Sequence, residues 1–490
     1  MKKLVYTFLS VFLFAMLIEK FPLQFLDIKK IYMTIVILFI TMMVFALYFK
    51  KNTKILFVAA ACICFFDLGL NAFMSLNWMS YANYNNYREF VSVNQQITDR
   101  IKDNDSSFYR MEKTYRYNFN DAMMFNYNGL SHYSSSEKAF VKTFMEKMGF
   151  RNNRNWAYYN QGSTISVDSL LGVKYLLTEN HTIKPYELLW QQGDVFAYFN
   201  PYALPIGFMV NEDVLNVSIH QENLFEIQND IWKSMTQQSY GDLFFPARIN
   251  SMNTANLAHE EYDNGIRYIR VDNNQDAFIE FIVQAKSDDP LYVFFPTSQR
   301  RPVEIFLNEE SLGMYFYAFR YDIVELGNFE VDETIVFRME LSGSDVFINA
   351  PLFYHQNMSA FYDYYNELSA SPFQITRFTK SYFEGEITNH DGKQFALFTI
   401  PYEEDWKISV SGNPVSAIRV FDTLTAVEIP EGTHSITLRY VPRGLNLGIV
   451  VTSGSCAILL AWIFLMRWQK QKGSPAIQQR AAGKIGRKIP

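Results

Sequence analysis

The chain has 490 residues and a formal net charge of −6, with 19% charged, 49% hydrophobic and 17% aromatic residues. That balance excludes a nucleic-acid binder, which would present a basic face. The apolar residues are gathered into long runs, which points away from a purely soluble protein.

In chain order, apolar runs cover residues 4–18, 31–48 and 55–73, and a fourth covers 445–466. A bilayer core of about 30 Å takes roughly 20 apolar residues as a helix. The last three runs meet that length, and the first is short. The pattern predicts an integral membrane protein with four transmembrane α-helices and one large polar region between the third and the fourth. Lys2 and Lys3 precede the first run, and Lys50, Lys51 and Lys54 separate the second from the third. Arg467, Lys470, Lys472, Arg480, Lys484, Arg487 and Lys488 follow the last. The positive-inside rule makes these three regions cytoplasmic and the large domain extracytoplasmic. Lys29 and Lys30 run against it, offset in part by Glu19 and Asp27. Met1-Lys2-Lys3 before an apolar run opens like a signal peptide, but no small-residue cleavage site follows.

All three cysteines, Cys62, Cys64 and Cys456, fall inside predicted helices, where they read as small apolar residues. The external region has none and must be held by core burial, for which it is large enough. Export without disulfides suits a bacterial surface better than an endoplasmic reticulum lumen.

Within that region, residues 87–101 and 136–148 read as helices, the second after the helix-start signal Ser134-Ser135-Ser136-Glu137. Short strands are expected at 173–177 and 195–199, and 211–236 reads as a mixed or helical connector. From 268 to 440 the pattern turns to period-two alternation with Gly/Asn/Asp turns, the signature of antiparallel sandwiches. It also repeats at an offset of roughly 100 residues: 291–297, 303–307 and 334–339 resemble 397–401, 406–410 and 435–440. The expected organisation is three transmembrane helices (1–76), an extracytoplasmic α+β domain (77–240), two β-sandwich modules (241–350 and 351–443), a transmembrane helix (444–466) and a basic cytoplasmic tail (467–490).

No metal-ligand spacing joins the seven histidines, and no CxxC pair, Walker loop, GxGxxG or Gly-x-Ser-x-Gly string is present. No metal and no cofactor is expected.

The last module carries Thr399-Ile400-Pro401-Tyr402, Asp405-Trp406-Lys407-Ile408, Ile429-Pro430-Glu431-Gly432 and Arg439-Tyr440-Val441-Pro442-Arg443-Gly444. Upstream stand Phe108-Tyr109-Arg110, Tyr127-Asn128-Gly129-Leu130, Leu170-Leu171-Gly172-Val173-Lys174-Tyr175 and Ala203-Leu204-Pro205-Ile206-Gly207-Phe208. In their order and spacing these resemble the bacterial membrane protein YfhO family. The resemblance implies a GT-C-like glycosyltransferase that uses polyprenyl-phosphate-linked sugar to glycosylate lipoteichoic acid or a similar cell-envelope polymer on the outer face of the bacterial cell membrane. Such proteins have about a dozen membrane helices before the external region, with the catalytic carboxylate in an early external loop. This chain shows three, so it resembles the C-terminal part of such an enzyme. The implied partners are membrane lipid, the lipid-linked sugar, an anionic wall polymer and a separate N-terminal multi-helix half. The other reading is a non-catalytic glycan-binding or scaffold module, or the remnant of a truncated transferase.

Transfer from a phosphate-linked sugar needs a carboxylate base. Glu19 and Asp27 sit in the short external loop, where ordinary interfacial charge is the plainer reading. Asp67 lies inside the third apolar run, where a carboxylate is costly unless paired or wet, and Asn71 shares its helix face one turn on. Asp67 either lines a substrate or lipid-phosphate groove with Asn71, marks the helix exit, or binds a partner helix. Asn120, Asp121 and His132 are polar residues among aromatics, suited to sugar hydroxyls or to capping a Tyr-rich core. Lys174 either meets a phosphate or is an exposed strand lysine. Arg300 and Arg301 are a solvent-facing pair or a contact for the anionic polymer.

Overall fold

A computed structural model describes residues 28–472 except 52, 154–155, 158, 160–161, 183, 298–300, 318–319 and 391, together with Tyr6, Ser10 and Phe12. Glu19, Asp27, Arg300, most of the first predicted helix and the tail beyond 472 lie outside the described residues. The chain divides into two compact units, Met1–Glu89 and Phe90–Pro490.

In the first unit, α1 (Ile28–Lys51) is an apolar run without Gly or Pro, and the polar stretch after it makes the turn into α2 (Lys54–Trp78). The two helices pack together, with Ile35 and Ala60 buried. The partly buried stripe of α2 runs through Leu56, Ala59, Ile63, Asp67, Leu70 and Met74, the three-and-four spacing of one helix face. Among the described residues, three helical stretches are long and apolar enough to cross a membrane: Tyr32–Lys50, Lys54–Asn77 and, in the second unit, Leu445–Gln469.

The amphipathic helix α3 (Tyr84–Asn104) carries the boundary between the units, and its part in the second unit buries Ile97 and Ile101. They pack on a four-stranded sheet ordered β1 (Arg110–Lys113), β2 (Val173–Thr178), Val195–Phe199 and Glu187–Gln192, in which β1 and β2 run parallel.

Downstream of this sheet the chain folds as a repeat. Five antiparallel strands lie in the order Arg248–Ala255, Phe278–Gln284, Thr334–Leu341, Val303–Leu307 and Glu310–Tyr315. The second repeat reproduces that order with Gln374–Thr379, Tyr382–Asn389, Gly432–Tyr440, Trp406–Val410 and Asn413–Val415. The segments matched in the sequence at 303–307 and 406–410, and at 334–339 and 435–440, occupy equivalent places. Each five-stranded sheet shares a buried cluster with a four-stranded one. In the first repeat this contains Val324–Gly327, β4 (Leu291–Phe294), β5 (Leu352–Gln356) and Phe244–Pro246. In the second it contains Ile418–Val420, Leu424–Glu428, β6 (Phe395–Pro401) and β3 (Gly207–Val210).

The burial patterns follow from this layering. Thr334–Leu341 alternates between core and surface, as a half-buried strand must. β4 and β6 are covered on both faces and read as nearly unbroken apolar runs. Their second face, through Tyr292 and Phe294 and through Phe395 and Leu397, meets a third cluster built on α4 (Leu224–Met235) and α5 (Met358–Ser369). Trp232 of α4 lies 5.6 Å from the ring of Phe361 and 6.2 Å from that of Tyr364 on α5. Each of these helices leads into one repeat, yet the strand just before it lies in the sheet of the other. β3 precedes α4 and pairs with β6, while β5 precedes α5 and pairs with β4.

Helix α5 lies within 351–443, the stretch assigned to the second sandwich module. Asn357 caps it by accepting from the Ala360 N–H at 3.0 Å, and Ala360, Phe361, Tyr364 and Leu368 form its buried face. The last helix, α6 (Leu445–Lys472), follows the final strand after a short turn.

Candidate functional site

A cavity of about 330 Å³ opens between the end of β2 and the strand Val324–Gly327. Its wall is polar: Tyr115, Thr178, Glu179, Asn180, His181 and Glu325 contribute, with Tyr159, Ser163 and Lys184 at its floor. Beneath that floor lies Asp168, fully buried on the short helix Ile165–Leu170. The helix is N-capped by Thr164, which accepts from Val167 N–H.

Asp168 receives four donors: Tyr159 Oη at 2.9 Å, Ser163 Oγ at 2.5 Å, Lys184 Nζ at 2.7 Å and Tyr186 Oη at 2.7 Å. Lys184 also donates to the Ser163 carbonyl at 2.8 Å and the Tyr159 hydroxyl at 3.2 Å, so its three N–H directions are taken. Burial, helped by the Asp168 charge, holds the Tyr159 and Tyr186 phenols well above their ordinary range. Burial also raises the Glu325 carboxyl, which the Lys184 charge only partly offsets. The buried Glu325 carboxyl and the buried Tyr292 hydroxyl face and interact with each other.

A second buried network touches the first through Tyr159, whose backbone N–H donates to Ser131 Oγ at 2.7 Å. Ser131 in turn donates from its hydroxyl and backbone to Glu112, and Leu130 N–H reaches the same carboxylate. Lys113 pairs with Asp121 at 2.7 Å and donates to Asn94 at 3.2 Å. Tyr115, on the cavity wall, donates to the same Asn94 oxygen at 2.9 Å.

Several residues singled out in the sequence meet in this network. Asp121 holds Lys113 and the N–H groups of Tyr117 and Asn118. Asn120 exchanges two hydrogen bonds with the Tyr133 backbone. His132 lies between Glu137, at 3.1 Å from Nε2, and the Leu130 carbonyl, at 3.2 Å from Nδ1. The Glu137 hydrogen bond, followed by smaller contributions, raises its pKa against the pull of burial. Lys174 stands apart, paired with Asp105 at 2.6 Å. In the first unit, Asn71 Nδ2 donates to both Asp67 Oδ1 and the Asp67 carbonyl at 3.0 Å.

Phe108-Tyr109-Arg110, Gly172 to Lys174 and Ala203 to Ile206 converge on another cavity, of about 310 Å³. Arg110 there donates to the Leu171 carbonyl at 2.6 Å, and to Thr399 Oγ1 and carbonyl at 2.9 and 2.7 Å. Burial lowers its pKa to about 10. Gly172 has φ +66°, and a Cβ there would stand 2.7 Å from the Leu204 carbonyl oxygen. These segments form a structural tie between the first sheet and the second repeat.

The residues that line the larger cavity were missed in the sequence because they come from positions far apart along the chain. One local signal existed: Asp168 is an acid inside the otherwise apolar or small stretch Ile165-Ser166-Val167-Asp168-Ser169-Leu170-Leu171. Among the described residues, no group of three or more His, Cys, Asp or Glu side chains is placed to hold a metal ion.

Helices able to cross a membrane, joined to a large region of several β-sheets, define a membrane protein with a substantial folded domain. Its sequence matches the family described as bacterial membrane protein YfhO over residues 1–452, and the chain belongs to that family. No curated protein matches it. Solved structures that it resembles include the cycloisomaltooligosaccharide glucanotransferase of Paenibacillus sp. with cycloisomaltoheptaose, at 7% identity and TM-score 0.18, covering 43% of this chain and 49% of that one. Another is a conserved protein of unknown function from Pseudomonas aeruginosa, at 7% identity and TM-score 0.13, covering 39% and 93%. The chain thus spans about half the length of the first, and at these scores neither likeness carries an argument.

Proposed function

We propose that this chain works as the C-terminal part of a YfhO-like GT-C-type glycosyltransferase, which transfers sugar from a polyprenyl-phosphate carrier to lipoteichoic acid or another cell-envelope polymer. In this reading four helices cross the membrane, the β-rich region faces outward as two sandwich modules, and it holds the glycan while a separate multi-helix half supplies the lipid-sugar groove. The observation that carries the proposal is family membership over residues 1–452. The polar cavity beside Asn180 and His181 is of the size and chemistry that suit a small polyhydroxylated ligand.

A non-catalytic glycan-binding module is the second reading, favoured by the state of the cavity's acids. Asp168 is saturated by four donors and so is not free to act as a general base. The deciding experiment measures transfer of labelled sugar from polyprenyl-phosphate in membranes carrying this chain, with and without a multi-helix YfhO-type partner. Transfer only with the partner supports the split enzyme. Transfer by the chain alone, lost in Asp67→Asn, places the base in α2. Absence of transfer in both leaves the binding module.

A further inference from the structure

We propose that the cavity walled by Tyr115, Asn180, His181 and Glu325 is a binding subsite for one non-anionic sugar unit, neutral or amine-bearing, and that it rejects phosphate-bearing units of the same polymer. This rests on the reading of the chain as a glycan-handling protein and deepens it by naming what the site accepts.

Size is the first argument. About 330 Å³ lies near the lower end of the roughly 300–1,000 Å³ of small-molecule sites. It suits a small unit rather than a length of polymer.

The second argument is the pattern of free and occupied polar groups. Tyr115 spends its hydroxyl on Asn94, so what it offers a ligand is a ring surface, the part that packs against the C–H face of a sugar. His181 spends Nδ1 on the Tyr198 hydroxyl at 3.0 Å, leaving Nε2 as its remaining polar atom. Asn180 and His181 are both exposed on the turn after β2. Glu325 lines the wall with its carboxyl set against the Tyr292 hydroxyl.

Charge selects the class. Lys184 is the cation in the wall, and its N–H groups are committed to Asp168, the Ser163 carbonyl and Tyr159. Glu179 adds an exposed negative charge at the rim. A phosphate or carboxylate entering here would be desolvated near the Asp168 carboxylate with, among the described residues, no uncommitted cation in the wall. An uncharged hydroxyl ring pays no such penalty, and an ammonium group gains from Glu179.

The test uses the purified full-length chain in detergent, with saturation-transfer NMR and calorimetric titration of methyl glucoside, glucosamine and glycerol 1-phosphate. The expected result is binding of the first two and about tenfold weaker binding, or none, of the third. The exposed substitutions Asn180→Ala and His181→Ala together should weaken sugar binding about tenfold without moving the thermal transition. Glu325→Gln should keep it and Glu325→Ala lose it. Equal or tighter binding of glycerol phosphate overturns the charge argument. Absence of sugar binding, or binding indifferent to Asn180→Ala with His181→Ala, overturns the site. Sugar binding that persists where no transfer is found sinks the transferase reading alone. Transfer that survives both loop substitutions sinks the subsite alone.

Discussion

The two β-repeats share a strand order and are completed in the same way, each by a strand that belongs in sequence to the entry of the other. They differ in how far that strand has to come. β5 follows the first repeat directly and pairs back onto β4. β3 lies ahead of both repeats and meets β6 only after the whole of the first has been laid down. The second repeat also receives Arg110, whose guanidinium grips Thr399 at the end of β6. The first repeat instead keeps buried titratable groups of its own. Equal topology therefore does not mean equal dependence: the second repeat leans on upstream chain, and the first leans on pH.

The largest effects should come from cutting the two completing strands. Phe208 on β3 and Phe353 on β5 are both buried, and replacing either by Ala should cost about 3–5 kcal/mol. Hydrogen exchange separates them. Phe208→Ala should expose amides of β6 and 432–440, and Phe353→Ala those of β4 and 334–341. If Phe208→Ala leaves 395–440 protected, the dependence on β3 is wrong.

Next comes Arg110→Met, which strands the Thr399 and Leu171 carbonyls and should cost roughly 3 kcal/mol. Arg110→Lys should recover little, because a single ammonium nitrogen cannot reproduce the two guanidinium nitrogens that reach Leu171 and Thr399 together. Exchange in the second repeat should rise while the first stays protected.

Asp322 tests the other side of the comparison. It is 1% exposed, and burial lifts its carboxyl from 3.8 to about 7 against the pull of Arg320 and Arg151. Because the folded pKa is the higher one, its contribution is full below pH 3.8 and is lost as pH rises through 7. Asp322→Asn should therefore stabilise the first repeat above pH 7, by roughly 2–4 kcal/mol, and not at pH 4. Thermal unfolding across that range checks the sign.

The smallest effect is His355. Its Nε2 accepts from Lys286 N–H at 3.1 Å and its Nδ1 faces the Asp289 carbonyl at 3.0 Å, which defines a neutral ring. Burial lowers its pKa from 6.5. A depressed folded pKa means stability present above pH 6.5 and lost below it, so exchange in β5 should quicken as pH falls toward 5 once intrinsic rates are removed. His355→Gln should flatten that dependence.

Much of this architecture could be read in the sequence where one periodicity dominates. The apolar runs that became α1, α2 and α6 were plain from hydropathy, and the alternation of 334–341 announced a half-buried strand. Helix α5 is hard to read because Met358 to Ser369 is rich in Tyr, which also favours strands, while the spacing of Ala360, Phe361, Tyr364 and Leu368 is that of a helix face. The exchange of β3 and β5 left no trace in local pattern, since a short apolar strand looks the same whichever sheet receives it. The cavity was hidden for a similar reason. Asp168, Lys184 and Glu325 are ordinary letters until the fold brings them together. Asn120, Asp121 and His132 bond to backbone, Lys113 and Glu137, partners that lie up to 13 residues away and that no local pattern names.

The pairing of β3 with β6 also sets a clock. Synthesis runs N-terminus first at about 5–20 residues per second, so residues 207–210 wait roughly 10–40 s for 395–398 to emerge. Through that interval β3 carries an apolar edge without its eventual neighbour, and such an edge recruits whatever strand comes first. β4 and β5, buried on both faces in the finished protein, are available earlier. Reaching the native arrangement therefore depends on β3 being held back from the first repeat until its own partner arrives, which makes the order of synthesis a part of the fold's specification.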